Sequence, residues 1–78
     1  MTQQFLQEII QYKDKPGVVG DLAREMQSIL DDQTLTQQER ADLLNETVSA
    51  YNGVQHADKE IIVRWAVAVA QIAAKAVV

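Results

Sequence analysis

The chain has 78 residues, no cysteine and a net charge of −4. This length gives room for one domain, residues 1–78, and the lack of cysteine excludes disulfides and thiolate metal sites. The negative charge, with seven lysines and arginines scattered along the chain, argues against a nucleic-acid partner, which would need clustered basic residues to contact phosphates.

The first predicted helix runs from about residue 3 to residue 12. Its large apolar residues share one helical face, since they are spaced at one, four and five positions: Phe5, Leu6, Ile9 and Ile10. Thr2 is a suitable N-cap. Pro16 favours an extended conformation at Lys15, so the helix is expected to end before that residue.

The second predicted helix ends at Asp31, and two starts fit the sequence. It begins either at Pro16, with the glycines of PGVVG inside the helix, or at an Asp21 cap. The first start is preferred because Val18 and Val19 would otherwise be exposed. Close approach of another helix is also expected at the two glycines of this segment, Gly17 and Gly20.

The third predicted helix has the clearest start in the chain. Thr36 and Glu39 have the spacing of a capping box, in which each side chain accepts a hydrogen bond from the other residue's backbone amide. The helix is expected to end at Asn52-Gly53, with Gly53 in the left-handed conformation. Its inner face is predicted to contain Ala41, Leu44, Thr47, Val48 and Tyr51.

The fourth predicted helix begins near Asp58, the expected N-cap, or at His56, and continues to the end of the sequence. Projected at 100° per residue, its polar side chains fall on one narrow stripe: Glu60, Arg64, Gln71 and Lys75. Almost everything else in this segment is apolar, whereas a helix exposed on one side has a wider polar face. The helix is therefore expected to be covered over most of its circumference.

Three coverings fit this pattern. The helix is wrapped by the other three, or it packs on its own bundle with one face and on another subunit with the other, or it enters a membrane. The second is favoured, because three short helices are too few to wrap a helix of about five turns, and Arg64, Gln71 and Lys75 make the membrane unlikely. The predicted interface, which includes an alanine ridge at four-residue spacing, comprises Ile62, Trp65, Ala66, Val69, Ala70, Ala73, Ala74 and Val77.

These elements predict an all-α fold: a small bundle or array of four helices, with sequential helices as neighbours and a long, mostly buried C-terminal helix. Residues for catalysis or metal binding do not cluster in the sequence, since Ser28 and Ser49 lack a glycine-rich turn and His56 is the only histidine. We therefore expect no enzymatic activity, no cofactor and no metal site. His56 is interpreted as a loop residue, and Asp31-Asp32 as carboxylates in a polar turn.

In size and style the chain resembles small cytoplasmic accessory proteins of large tailed bacteriophages. The resemblance lies in its short, acidic, cysteine-free, helical character and in the capped segment LTQQERADLL at residues 35–44. One such family is the lysis-inhibition accessory protein of T-even phages. It implies a regulatory protein that acts by binding another protein, and it assigns no functional residue here.

Three functions follow as hypotheses. The first is a cytoplasmic, non-enzymatic interaction protein that self-associates or docks on a partner protein through the fourth helix. The second is a binder of a small, nucleotide-like molecule between subunits, which requires polar groups to converge: Arg24, Arg40, Arg64 and Tyr51. The third is a membrane-associated accessory factor.

Overall fold

A computed structural model describes residues 2–54 and 58–76 of the chain. These residues form four helices and, over both ranges, no strand: α1 (Thr2–Tyr12), α2 (Val18–Asp31), α3 (Gln37–Asn52) and α4 (Lys59–Ala76). The predicted all-α fold of four helices is therefore confirmed. Each helix packs against the next one in the sequence, and α1 also packs against α4. His56 and Val77, for which predictions were made, lie outside the described residues, as does the side chain of Thr2.

The connection between α1 and α2 fixes the start of α2 between the two predicted positions. Gly17 is the N-cap and takes a φ of 97°, so the helix begins at Val18 rather than at Pro16. This left-handed conformation is accessible to glycine at little cost and disfavoured for other residues. Val18 and Val19 are half-buried, as expected.

Gly20 allows a close approach, but of the preceding connection and not of another helix. A Cβ atom placed on Gly20 would lie 1.8 Å from the carbonyl oxygen of Lys15. Arg24, one turn later, holds the same connection, because its Nη1 donates to the carbonyl oxygens of Lys13 at 2.7 Å and Lys15 at 3.3 Å. The sequence therefore needs a residue without a side chain at position 20.

The turn between α2 and α3 is closed by polar side chains, in agreement with the interpretation of Asp31-Asp32. Asp32 Oδ1 accepts from the hydroxyl of Thr34 at 2.6 Å and from its backbone amide at 2.9 Å. These two hydrogen bonds hold the pKa of the Asp32 carboxyl below its usual range. Arg40 donates to the carbonyl oxygen of Asp32 at 2.8 Å and so ties the turn to α3.

The capping box at the start of α3 is confirmed. The Glu39 amide donates to the Thr36 hydroxyl at 3.1 Å, and the Thr36 amide donates to the Glu39 carboxylate at 2.9 Å. Two backbone donors that have no partner within the helix are satisfied in this way.

We expect Thr36→Ala to lower the free energy of unfolding by about 1 kcal/mol, the usual cost of losing an N-cap. Urea denaturation followed by circular dichroism measures this difference. Thr34→Ala is the comparison: Thr34 is also exposed and its hydroxyl donates to Asp32, but it satisfies no amide of the helix, so its loss should cost less. Equal losses for the two variants would contradict a specific role of the cap.

At the connection between α3 and α4, the predicted Asp58 cap is present, but the predicted left-handed conformation of Gly53 is not. Asp58 caps α4, because its carboxylate accepts from the amides of Glu60 at 3.1 Å and Ile61 at 3.3 Å. Gly53 follows α3 as predicted, but its φ is −94° and not left-handed. The Lys59 ammonium group donates to the carbonyl oxygen of Asn52, which joins the two helix ends.

The core is formed by apolar side chains from all four helices. The largest of them is Trp65, which has no exposed surface and makes edge-to-face contacts with Phe5 and Tyr12 of α1, with ring centroids 6.3 and 6.0 Å apart. Aromatic pairs favour this geometry. The members of the core are Phe5, Ile9, Leu22, Ala23, Met26, Leu44, Val48, Ile61, Ile62, Trp65 and Val69.

Candidate interaction surface on helix 4

α4 is not mostly buried within the chain, which corrects that part of the predicted fold. Four of its side chains are buried, and they lie on one side of the helix: Ile61, Ile62, Trp65 and Val69. The spacing of three and four residues between them is that of a single core-facing stripe. The other side chains described for the helix, up to Lys75, are half-buried or exposed to solvent.

The side of α4 opposite the core carries an exposed apolar stripe. We call it the α4 stripe and define it as the residues Val63, Val67, Ala70 and Ala74, all of which are exposed. Their spacings of four, three and four keep them on one face. Val63 is 54% exposed and Val67 53% exposed, so each valine presents about half of its surface to water.

A groove lies on each side of the two valines. The groove between α1 and α4 has a volume of about 250 Å³ and is lined by Gln4, Phe5, Glu8, Val63, Arg64, Trp65, Val67, Ala68 and Gln71. The groove between α3 and α4 has a volume of about 300 Å³ and is lined by Val48, Ser49, Asn52, Val63, Ala66, Val67 and Ala70. Val63 and Val67 line both, so they form a ridge with a groove on either side. This shape suits the packing of another helix.

An ion pair crosses the first groove and joins α1 to α4. Arg64 Nη2 donates to Glu8 Oε2 at 2.6 Å, with the Arg64 side chain half-exposed and that of Glu8 largely covered. Pairs this accessible contribute at most about 1 kcal/mol to stability. Arg64 belongs to the predicted polar stripe, which lies beside the α4 stripe on the outer side of the helix.

The structure divides the eight predicted interface residues into groups. Ile62, Trp65 and Val69 have no exposed surface and belong to the chain's own core, so they are not available to another chain in this conformation. Val77 lies outside the described residues. The remaining four are exposed or half-buried: Ala66, Ala70, Ala73 and Ala74.

Sequence reasoning missed Val63 and Val67, the largest exposed apolar side chains of the helix. The helical projection contained a signal for them. Both valines lie beside the polar stripe that includes Arg64 and opposite Trp65, the residue most suited to the core. A projection centred on the tryptophan would have placed them on the outer face.

The three arginines considered for small-molecule binding are each engaged within the chain. Arg24 binds carbonyl oxygens of the first connection as well as the Asp21 carboxylate. Arg40 binds the second connection, and Arg64 binds Glu8. Among the residues described, no group of acidic or histidine side chains has the arrangement of a metal site.

The fourth group, Tyr51, lies at the end of α3 beside Glu25 of α2. Burial raises the pKa of its hydroxyl, and the hydrogen bond and negative charge of Glu25 raise that pKa further. The hydroxyl therefore stays protonated at neutral pH and is not a phenolate nucleophile.

The fold and this surface define a class of protein. It is a small all-α protein in which one side of α4 packs in the core, while the other side is apolar but exposed. No helix in the described part of the chain is long and apolar enough to cross a membrane. No family model, curated protein or solved structure matches the chain.

Proposed function

We propose that this chain is a non-enzymatic interaction protein that docks on another protein chain through the α4 stripe. The observation that carries the proposal is the ridge of Val63 and Val67, half-exposed between two grooves. Isolated surface valines are common, but an apolar ridge continued by alanines on the same helix face is typical of an interaction site.

Burial of this ridge supplies a driving force for docking. Complete burial of a half-exposed valine gives roughly 1 kcal/mol, on the scale that assigns about 1.5–3 kcal/mol to a whole apolar side chain. The exposed alanines add area without losing side-chain entropy. A helix that enters either groove would cover both valines together, since both line both grooves.

The grooves suit a protein segment better than a small molecule. Their volumes of about 250 and 300 Å³ lie at or below the lower end of the range for small-molecule sites, roughly 300–1,000 Å³. Both are open and mainly apolar, and the arginine of the first groove already binds Glu8. These properties favour a protein partner over the nucleotide-like ligand.

The proposal extends to a regulatory or accessory role in the cytoplasm. It is supported by the absence of cysteine and the net charge of −4, which suit a reducing compartment and a protein that stays in solution. The resemblance to phage accessory proteins is consistent with this role but does not identify the partner.

A photo-cross-linking amino acid in place of Val67 should give a discrete protein adduct in cells of the native host, since this position is expected at the centre of the interface. The adduct is detected by gel shift and identified by mass spectrometry. The control is the same amino acid in place of Glu46, an exposed residue of α3.

A second variant tests specificity. Adding Val63→Glu should abolish the adduct at position 67, because a carboxylate would be buried in an apolar contact. Adducts that are no stronger than those from position 46, or that persist with Val63→Glu, would contradict docking through this surface.

A further inference from the structure

The α4 stripe has a symmetry that a partner helix can match. The spacings between its residues, four, three and four, are the same in both directions along the helix. The order of its side chains is not, since the two valines come first and the two alanines last. An identical helix laid antiparallel therefore places Val63 opposite the partner's Ala74 and Val67 opposite the partner's Ala70. Every level of the contact then pairs a large side chain with a small one.

A parallel arrangement of the same two helices packs less well. It would place valine against valine at one end and alanine against alanine at the other, which crowds the first end and leaves a gap at the second. In the antiparallel arrangement the partner's Val67 meets Ala70, which lines the groove between α3 and α4. The groove gives that valine space to enter.

The charges at the two ends of α4 favour the same direction. Glu60 lies in the first turn and Lys75 in the last, and both are exposed on the same side of the α4 stripe. In the antiparallel pair, Glu60 lies about two residues, or roughly 3 Å, along the axis from the partner's Lys75, within reach of a lysine side chain. A parallel pair would keep Glu60 and the partner's Lys75 at opposite ends of the contact and would align the two helix dipoles.

We propose that α4 pairs antiparallel with α4 of a second copy of this chain, through the α4 stripe, with the two-fold axis passing between positions 68 and 69. The inference rests on the proposed function, because it names the partner of the same surface. One helix pair of this length covers on the order of 300 Å² per copy, less than the roughly 800 Å² of a standard interface. The dimer is therefore weak and depends on concentration.

Cysteine cross-linking tests the direction of pairing, and the native chain contains no cysteine to interfere. Chains with Val63→Cys and chains with Ala74→Cys are mixed and oxidised under mild conditions. Antiparallel pairing predicts that the mixed disulfide exceeds the two homodisulfides combined, which is more than random collision of equal amounts would give, because position 63 faces position 74. A predominance of homodisulfides, or disulfides only at the level given by random collision, would overturn the proposal.

Sedimentation equilibrium on the full chain, from micromolar to millimolar concentration, measures the strength of the pairing. Lys75→Glu should weaken the dimer, since it places Glu60 beside a second carboxylate, and adding Glu60→Lys should restore it. Glu46→Lys, a charge change on α3, should leave it unchanged. Ala70→Leu should weaken it roughly tenfold or more by overpacking against the partner's Val67.

The two proposals fail in different ways. A chain that stays monomeric at every concentration, yet forms the specific adduct from position 67 with a different protein, refutes self-pairing and leaves the proposed function supported. Melting curves from circular dichroism show that each variant is folded, so a lost dimer is not confused with a lost fold.

Discussion

Replacing Trp65 by alanine is expected to lower the free energy of unfolding by about 3–5 kcal/mol, the range measured for large aromatic side chains removed from a core. Trp65 has no exposed surface, and it contacts Phe5 and Tyr12 of α1 edge to face. It therefore holds α1 against α4. A domain of this size has a total stability of roughly 4–12 kcal/mol, so this one substitution should remove a large fraction of the total and move the urea midpoint strongly downward.

Urea denaturation followed by circular dichroism is the appropriate measurement, because fluorescence loses its only tryptophan. Val67→Ala is the control: it truncates an apolar side chain on the exposed face of the same helix, and at low protein concentration it should cost less than about 1 kcal/mol. Trp65→Phe should cost less than Trp65→Ala, since phenylalanine leaves a smaller cavity. It also removes the buried indole Nε1, which has no hydrogen-bond partner among the described residues, so no hydrogen bond is lost. Similar losses from Trp65→Ala and Val67→Ala would show that the core is not organised around this residue.

Gly20→Ala is expected to destabilise the chain, although alanine is normally better than glycine in a helix by about 1 kcal/mol. The added methyl group would lie 1.8 Å from the carbonyl oxygen of Lys15, and that oxygen belongs to backbone held in place by Arg24. The connection between α1 and α2 must then move away from α2. We expect a net loss of about 2 kcal/mol or more, since overpacking of this kind costs about 1–3 kcal/mol even against flexible side chains.

Gly53→Ala is the matched control for this prediction. Nothing lies within 4 Å of a Cβ atom at Gly53, and its φ of −94° is accessible to alanine. The substitution should therefore be neutral or stabilise the chain by up to about 1 kcal/mol, chiefly by restricting the unfolded state. The melting temperature should fall for Gly20→Ala and stay unchanged or rise for Gly53→Ala; a gain from Gly20→Ala would contradict the close approach of the Lys15 carbonyl group.

Helix boundaries were predictable where the deciding interactions are local. The Thr36–Glu39 capping box and the Asp58 cap involve residues two or three positions apart, so the sequence contains both partners. Pro16 likewise restricts only its neighbours. The start of α2 was less certain, because the conformation of Gly17 depends on how the connection packs against the helix that follows.

The properties of Gly20 and Gly53 were not predictable in the same way. The sequence predicts a need for glycine at both positions. At Gly20 the need comes from a carbonyl oxygen five residues away, whereas Gly53 is not left-handed. A glycine shows that a side chain is absent, and only the path of the surrounding backbone shows whether one would fit.

For α4 the sequence by itself determined the cap, the length and the narrow polar stripe. It also favoured, over a helix wrapped by its own bundle, a helix with an apolar face outside the chain's own core. Which face of α4 is exposed was decided only by the tertiary structure. The helix is apolar around most of its circumference, so the sequence pattern of the buried face is almost the same as that of the exposed face. Trp65 packs against α1 and Ile62 joins the core, and this orientation turns Val63 and Val67 toward solvent. The candidate surface thus depends on the positions of the other helices, since burial is set by neighbours distant in sequence.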